Sequence, residues 1–141
     1  MQKSLLSISI SLLSLLSLSA REQNLVFPDS VGCKVRYSAM IEMKKGYLSG
    51  ICILANDGEK INGCLFNEFG ISAIDFVFFP QKKKVKLISV IKMIDKWYIK
   101  KILKKDLVQV MEILSRGESE YSDNRYKIDY HFKVLKDEIG E

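Results

Sequence analysis

From Val35 onward the chain alternates between apolar and polar positions. Val35, Tyr37, Ala39, Ile41 and Met43 fall on one face, with Lys34, Arg36, Ser38 and Glu42 on the other. This predicts a half-buried strand. Lys44-Lys45-Gly46 turns the chain, and Tyr47 to Ala55 follows as a second strand, apolar on both faces apart from Ser49 and Gly50. Asp57-Gly58 is a strong hairpin signal, after which Lys60 to Phe69 returns as a third strand. Gly70 breaks the run, and Ile71 to Phe79 makes a fourth strand. Pro80 and the lysines behind it turn the chain into a fifth, Val85 to Ile91.

The period then changes from two to 3.6. Asp95 is placed to cap a helix, with Ile94 and Ile99 positioned as a hydrophobic staple. Ile99, Ile102 and Leu103 share one face, opposite Lys100, Lys101 and Lys104. Asp106 would fall in the middle of the apolar face of one continuous helix, so the pattern predicts a break there. Asp106 then caps a second helix, with Gln109 at the capping-box position and Leu107, Val110, Ile113 and Leu114 as its apolar face. Gly117 ends it. Glu118 to Tyr121 is a short strand and Ser122 to Arg125 a turn. Tyr126, Ile128, Tyr130, Phe132 and Val134 alternate with Lys127, Asp129, His131 and Lys133 as the last strand. The fold class expected is α+β: an antiparallel β-meander covered by two short helices inserted before a terminal hairpin.

The ends change the picture of where the protein works. Residues 1–20 carry Lys3, then a Leu/Ile/Ser run with seven serines among the sixteen residues from Ser4 to Ser19, then Ala20. This predicts a cleaved signal peptide and export to the periplasm. Leu18-Ser19-Ala20 looks like the approach to a lipidated cysteine, but Arg21 stands where the cysteine would be. The expected layout is a signal peptide at 1–20, an extended lead-in at 21–32, one domain at 33–136 and a polar tail at 137–141. Hydrophobic residues make up 48% of the chain and charged residues 28%, a globular composition that excludes a disordered or collagenous chain. The net charge of +5 is mild. Its lysine clusters attract anions without choosing among them.

Arg36-Tyr37-x-Ala39, Leu48-Ser49-Gly50, Asn67-Glu68-Phe69-Gly70 leading into Asp75-Phe76, and the lysine-flanked helical region resemble the LolA/LolB-like lipoprotein carriers. The likeness is closest to the small outer-membrane-associated variants of Bacteroidota type, and it spans about Arg36 to Leu114. It implies an incomplete antiparallel barrel closed by a helical lid, with an apolar cavity that takes acyl chains. None of the family's functional loop residues can be matched to this chain, and the lipidated cysteine of LolB-type members is missing.

The chemistry on offer is thin. One histidine, three cysteines without metal spacing and no Gly-rich phosphate loop leave no catalytic residue, metal or cofactor to expect. No enzymatic activity is expected; a small hydrolase would need a nucleophile constellation that the chain lacks. Asn67, Glu68 and Asp75 read as turn residues around Gly70, and His131 as a polar-face residue. Cys52 and Cys64 flank one hairpin, as a disulfide or as free buried thiols. Phe76 and Phe78 share a strand face that either lines a lipid pocket or is covered by helices. Trp97, beside Lys96 and Tyr98, is either a lid or membrane-interface residue or a plug for the core. The expected apolar pocket is Phe76, Phe78, Trp97, Ile99, Ile102 and Leu107, and the expected headgroup site is Lys100, Lys101 and Lys104. The function expected is a non-enzymatic periplasmic or peripheral outer-membrane carrier for a lipid acyl chain or an acylated protein. The alternative is an outer-membrane assembly accessory that binds a protein partner. Nucleic acid is not an expected partner.

Overall fold

The computed structural model describes residues 26–136. The expected signal peptide, the first part of the lead-in and the tail lie outside those residues. Strands β1 (Lys34–Met43), β2 (Gly46–Asn56), β3 (Ile61–Asn67), β4 (Ser72–Phe79) and β5 (Lys84–Val90) form an antiparallel meander. A 3-10 turn (Lys92–Ile94), helix α1 (Trp97–Ser115) and strands β6 (Glu120–Asp123) and β7 (Ile128–Val134) follow. The sheet order is β5-β4-β3-β2-β1-β7-β6. The chain therefore leaves one edge at β5, crosses with α1, and returns to pair β7 with the far side of β1. The result is a curled half-barrel with one helix.

The period-two pattern decides which face curls around the helix. Val35, Tyr37, Ala39 and Ile41 of β1 are buried while their polar neighbours are exposed. Ile128, Tyr130 and Phe132 repeat this on β7. Leu103, Leu107, Val110, Met111 and Leu114 of α1 join them in one core. Phe27 in the lead-in completes it, held by the Tyr37 hydroxyl donating to the Val26 carbonyl at 2.7 Å and by Asn56 Nδ2 donating to the Pro28 carbonyl at 2.8 Å. The inner face has two tight spots, one of them Gly50, where a Cβ would strike the Phe66 carbonyl of the neighbouring strand. A Cβ on Gly63 would collide with the Phe76 ring lying over it on the neighbouring strand.

Two turns follow the sequence closely. Asp57 Oδ1 accepts from the Glu59 and Lys60 amides, and Gly58 takes a φ of 105°. Asn67 Oδ1 accepts from the Phe69 and Ile71 amides around Gly70, so these residues form the expected turn.

The two-helix expectation is corrected: one 19-residue helix runs through Asp106 without a break. A charged residue at that position would be prohibitive, but Asp106 has partners. It is 3% exposed and accepts a hydrogen bond from the Tyr130 hydroxyl at 2.7 Å. Burial, with the nearby Asp123 carboxyl, pushes it up to about 7. A carboxyl that keeps its proton and satisfies its oxygen can sit inside a helix interface. Asp95 is not the cap either. Lys96 holds that position without a side-chain cap bond, and Asp95 pairs instead with Lys100 at 2.8 Å.

The three thiols are free. Cys52 lies opposite Leu65 and faces the core, whereas Cys64 lies opposite Ile53 on the outer face and contacts the Ser72 hydroxyl at 3.4 Å.

Candidate functional site

Between the β1–β2 hairpin and the start of α1 the core is left unfinished. Ile99 and Ile102 on the first turns of α1 are only half-buried, whereas Leu107, Val110, Met111 and Leu114 further along are fully buried. The gap is an open apolar cleft of about 470 Å³, within the usual range for small-molecule sites. Its apolar walls are Met43, Met93, Ile94, Ile99, Ile102 and Ile128, with Tyr98 and Tyr126 beside them. Lys44, Lys45 and Lys96 stand among these residues, and Gly46 completes the lining. Each lysine is exposed and makes no ion pair among the described residues.

The expected pocket residues separate into three groups. Ile99 and Ile102 line the cleft. Phe76, Phe78 and Leu107 are buried in the core beneath α1, at 2%, 4% and 1% exposure; the helix and the Gly63 gap fill the space in which they were expected to leave a cavity. Trp97 is 75% exposed and lies outside the lining, its ring packed edge-on against Tyr98 at 5.8 Å. The expected headgroup lysines are also displaced. Lys100 is paired with Asp95, and Lys101 and Lys104 point to solvent. The cleft's own lysines are Lys44, Lys45 and Lys96.

Several of these residues have a sequence signal that the alternating pattern conceals. Lys44-Lys45-Gly46 reads as a turn, and only the return of β7 beside β1 makes that turn one wall of a cleft. Met93 belongs to a 3-10 turn too short for either period. Tyr126 reads as the first residue of the last strand, but that strand begins at Ile128, after Lys127 adopts a φ of 54°.

The other polar cluster is Asp106, Asp123 and Tyr130. The phenol of Tyr130 is raised well above its ordinary value by burial and by Asp106, so it stays a donor. The cluster ties α1 to the β6–β7 hairpin. On the outer face His131 lies 3.2 Å from Glu120 and 3.5 Å from Glu42, and Asp75 accepts from the Ser89 hydroxyl at 2.7 Å. Among the described residues no group of three or more His, Cys, Asp or Glu side chains could hold a metal ion, and no helix is long and apolar enough to cross a membrane. No protein-family model, no curated protein and no solved structure matches the chain.

Proposed function

We propose that the protein is a non-enzymatic binding or carrier protein for an anionic amphiphile, an acyl chain carrying a negative headgroup, free or attached to a protein. The observation that carries this reading is the open apolar cleft with Lys44, Lys45 and Lys96 beside it. Burying a methylene contributes about 0.8 kcal/mol, so an acyl chain of ordinary length has enough to gain from such a cleft to offset the cost of association. The lysines would hold the headgroup and exclude neutral chains. The likeness to the LolA/LolB-like carriers points the same way, since a half-barrel under a helix is the frame that the likeness implies. Export to the periplasm rests on residues 1–20; fractionation of cells producing the tagged chain should place it in the envelope, and a full-length cytosolic form would defeat that part.

A fluorescent fatty-acid analogue tests the cleft. The wild type should bind it saturably, and Ile102→Glu should weaken binding at least tenfold by placing a charge in the acyl path. Ile102→Ala, which keeps the site apolar, should weaken it only a few-fold. A well-folded wild type that binds no probe defeats the reading. The accessory reading would then stand in its place. It draws on a separate observation, the exposure of Met40, Ile51 and Ile88 on the convex face of the sheet, where a protein partner would sit.

A further inference from the structure

Three segments far apart in sequence meet at the cleft, and each brings basic residues to it or beside it. The β1–β2 turn brings Lys44 and Lys45, both exposed on its wall. The segment entering α1 brings Lys92 and Lys96 with Met93 at 50% and Trp97 at 75% exposure. The β6–β7 turn brings Arg125 and Lys127 around Tyr126, with the Arg125 guanidinium 5.5 Å from the Tyr126 ring centre. The segment entering α1 and the β6–β7 turn therefore show water a large aromatic or thioether side chain next to basic residues, and the β1–β2 turn adds two lysines. From Ile91 to Lys105 there are six lysines and one acid, and that acid is taken up by Lys100.

Exposed Trp and Tyr rings beside Lys and Arg are what an interfacial site requires. The rings lie at headgroup depth, the long basic side chains reach the phosphates, and binding scales with apolar area and with lipid charge. We infer that these three segments form a docking surface for an anionic lipid bilayer, which sets the mouth of the cleft against the membrane. The occupant is a lipid surface rather than a nucleic acid strand. The aromatic groups stand on two separate segments beside an apolar opening, not lined up along a groove in which successive bases could stack.

This surface stands whether or not the cleft holds a ligand, and its test uses vesicles while the cleft is tested with a soluble probe in their absence. Trp97 is the only tryptophan in the chain, so its emission reports directly on the surface. Full-length protein is mixed with vesicles of phosphatidylcholine alone or with about one-third phosphatidylglycerol, with and without a lipid-borne quencher. Trp97 emission should shift to the blue and be quenched in the anionic vesicles only, and the effect should fade as salt rises. The double change Lys92→Glu and Lys96→Glu should weaken vesicle binding roughly tenfold. Lys34→Glu with Lys133→Glu, on the convex face, should leave it within about twofold. All four positions are exposed, so these chains should fold. Vesicle binding with Trp97 unquenched, or an equal loss from both lysine pairs, overturns the inference. So does quenching of Trp97 by single-stranded RNA with no binding to vesicles.

Discussion

At the residue scale, Asp106 shows how one side chain can mislead a helical pattern and still be accommodated. Its carboxyl holds a proton more tightly folded than unfolded, at about 7 against an ordinary value of 3.8. The folded chain therefore binds more protons than the unfolded chain between those values, and this group's contribution to stability is full below the lower one and lost as pH rises through the upper. Unfolding by urea should show the wild type losing stability from about pH 4 to about pH 7, by at most about 1.4 kcal/mol per pH unit from this group. Asp106→Asn, which still offers an oxygen to the Tyr130 hydroxyl, should flatten that part of the profile. An unchanged slope in Asp106→Asn would mean that another group titrates. Gly63 gives the opposite lesson, a residue whose importance lies in what it lacks. Gly63→Ala drives a methyl into the Phe76 ring and should destabilise by about 1–3 kcal/mol, measured by the same method. A neutral result would place the ring elsewhere.

At the element scale, the N-terminus of α1 trades stability for surface chemistry. Lys96 sits at the cap with extended backbone, its carbonyl accepting from the Lys100 amide at 2.9 Å, but its side chain caps nothing. The first turn has no acid to set against the helix dipole. Lys96→Ser should stabilise the fold by about 1 kcal/mol while weakening attachment to anionic vesicles, so thermal melting and vesicle sedimentation should move in opposite directions. If Lys96→Ser changes neither, the lysine is a passive solvated residue. Most strands were legible because alternation is strict wherever one face is buried, as in β1 and β7. The helix was legible only in halves, since a buried carboxyl looks charged in a sequence and its partners, Tyr130 and Asp123, come from strands 24 residues away or on the adjoining edge. The cleft was the least legible part. Its residues Met43, Met93, Tyr126 and Ile128 come from three separate places in the chain, and only Ile99 and Ile102 carry a helical period that marks them. Phe76 and Phe78 looked like pocket residues because nothing in the sequence tells how completely one continuous helix covers them.

At the scale of the whole molecule, the fold is a meander closed by a long-range pairing. Tyr37 of β1 lies opposite Val134 of β7, and between them the chain makes β2 to β5 and spans the concave face with α1. The helix contacts β5 near one edge and β6 at the other, so it braces the two sides of the half-barrel. That bracing is uneven. From Leu103 onward the inward residues of α1 are buried, and the Asp106–Tyr130 bond adds a polar anchor. Before Leu103 the inward residues Ile99 and Ile102 face the cleft and have only part of a partner. Local opening follows the density of buried contacts, so the two halves of one helix should differ in protection. Hydrogen exchange of the free protein should show amides at 100–103 exchanging faster than those at 107–114. An acyl probe that fills the cleft supplies the missing partner, and it should slow exchange at 100–103 while leaving 107–114 unchanged. Binding also raises global stability by mass action, by about 2.7 kcal/mol at a hundred times the dissociation constant, so exchange should be read at a probe level where that term is small. Uniform protection along α1 in the free protein would show that the helix is docked over its whole length and that the cleft is no gap in its packing. Probe-induced slowing confined to 107–114 would put the ligand beneath the buried half of the helix instead of at its start.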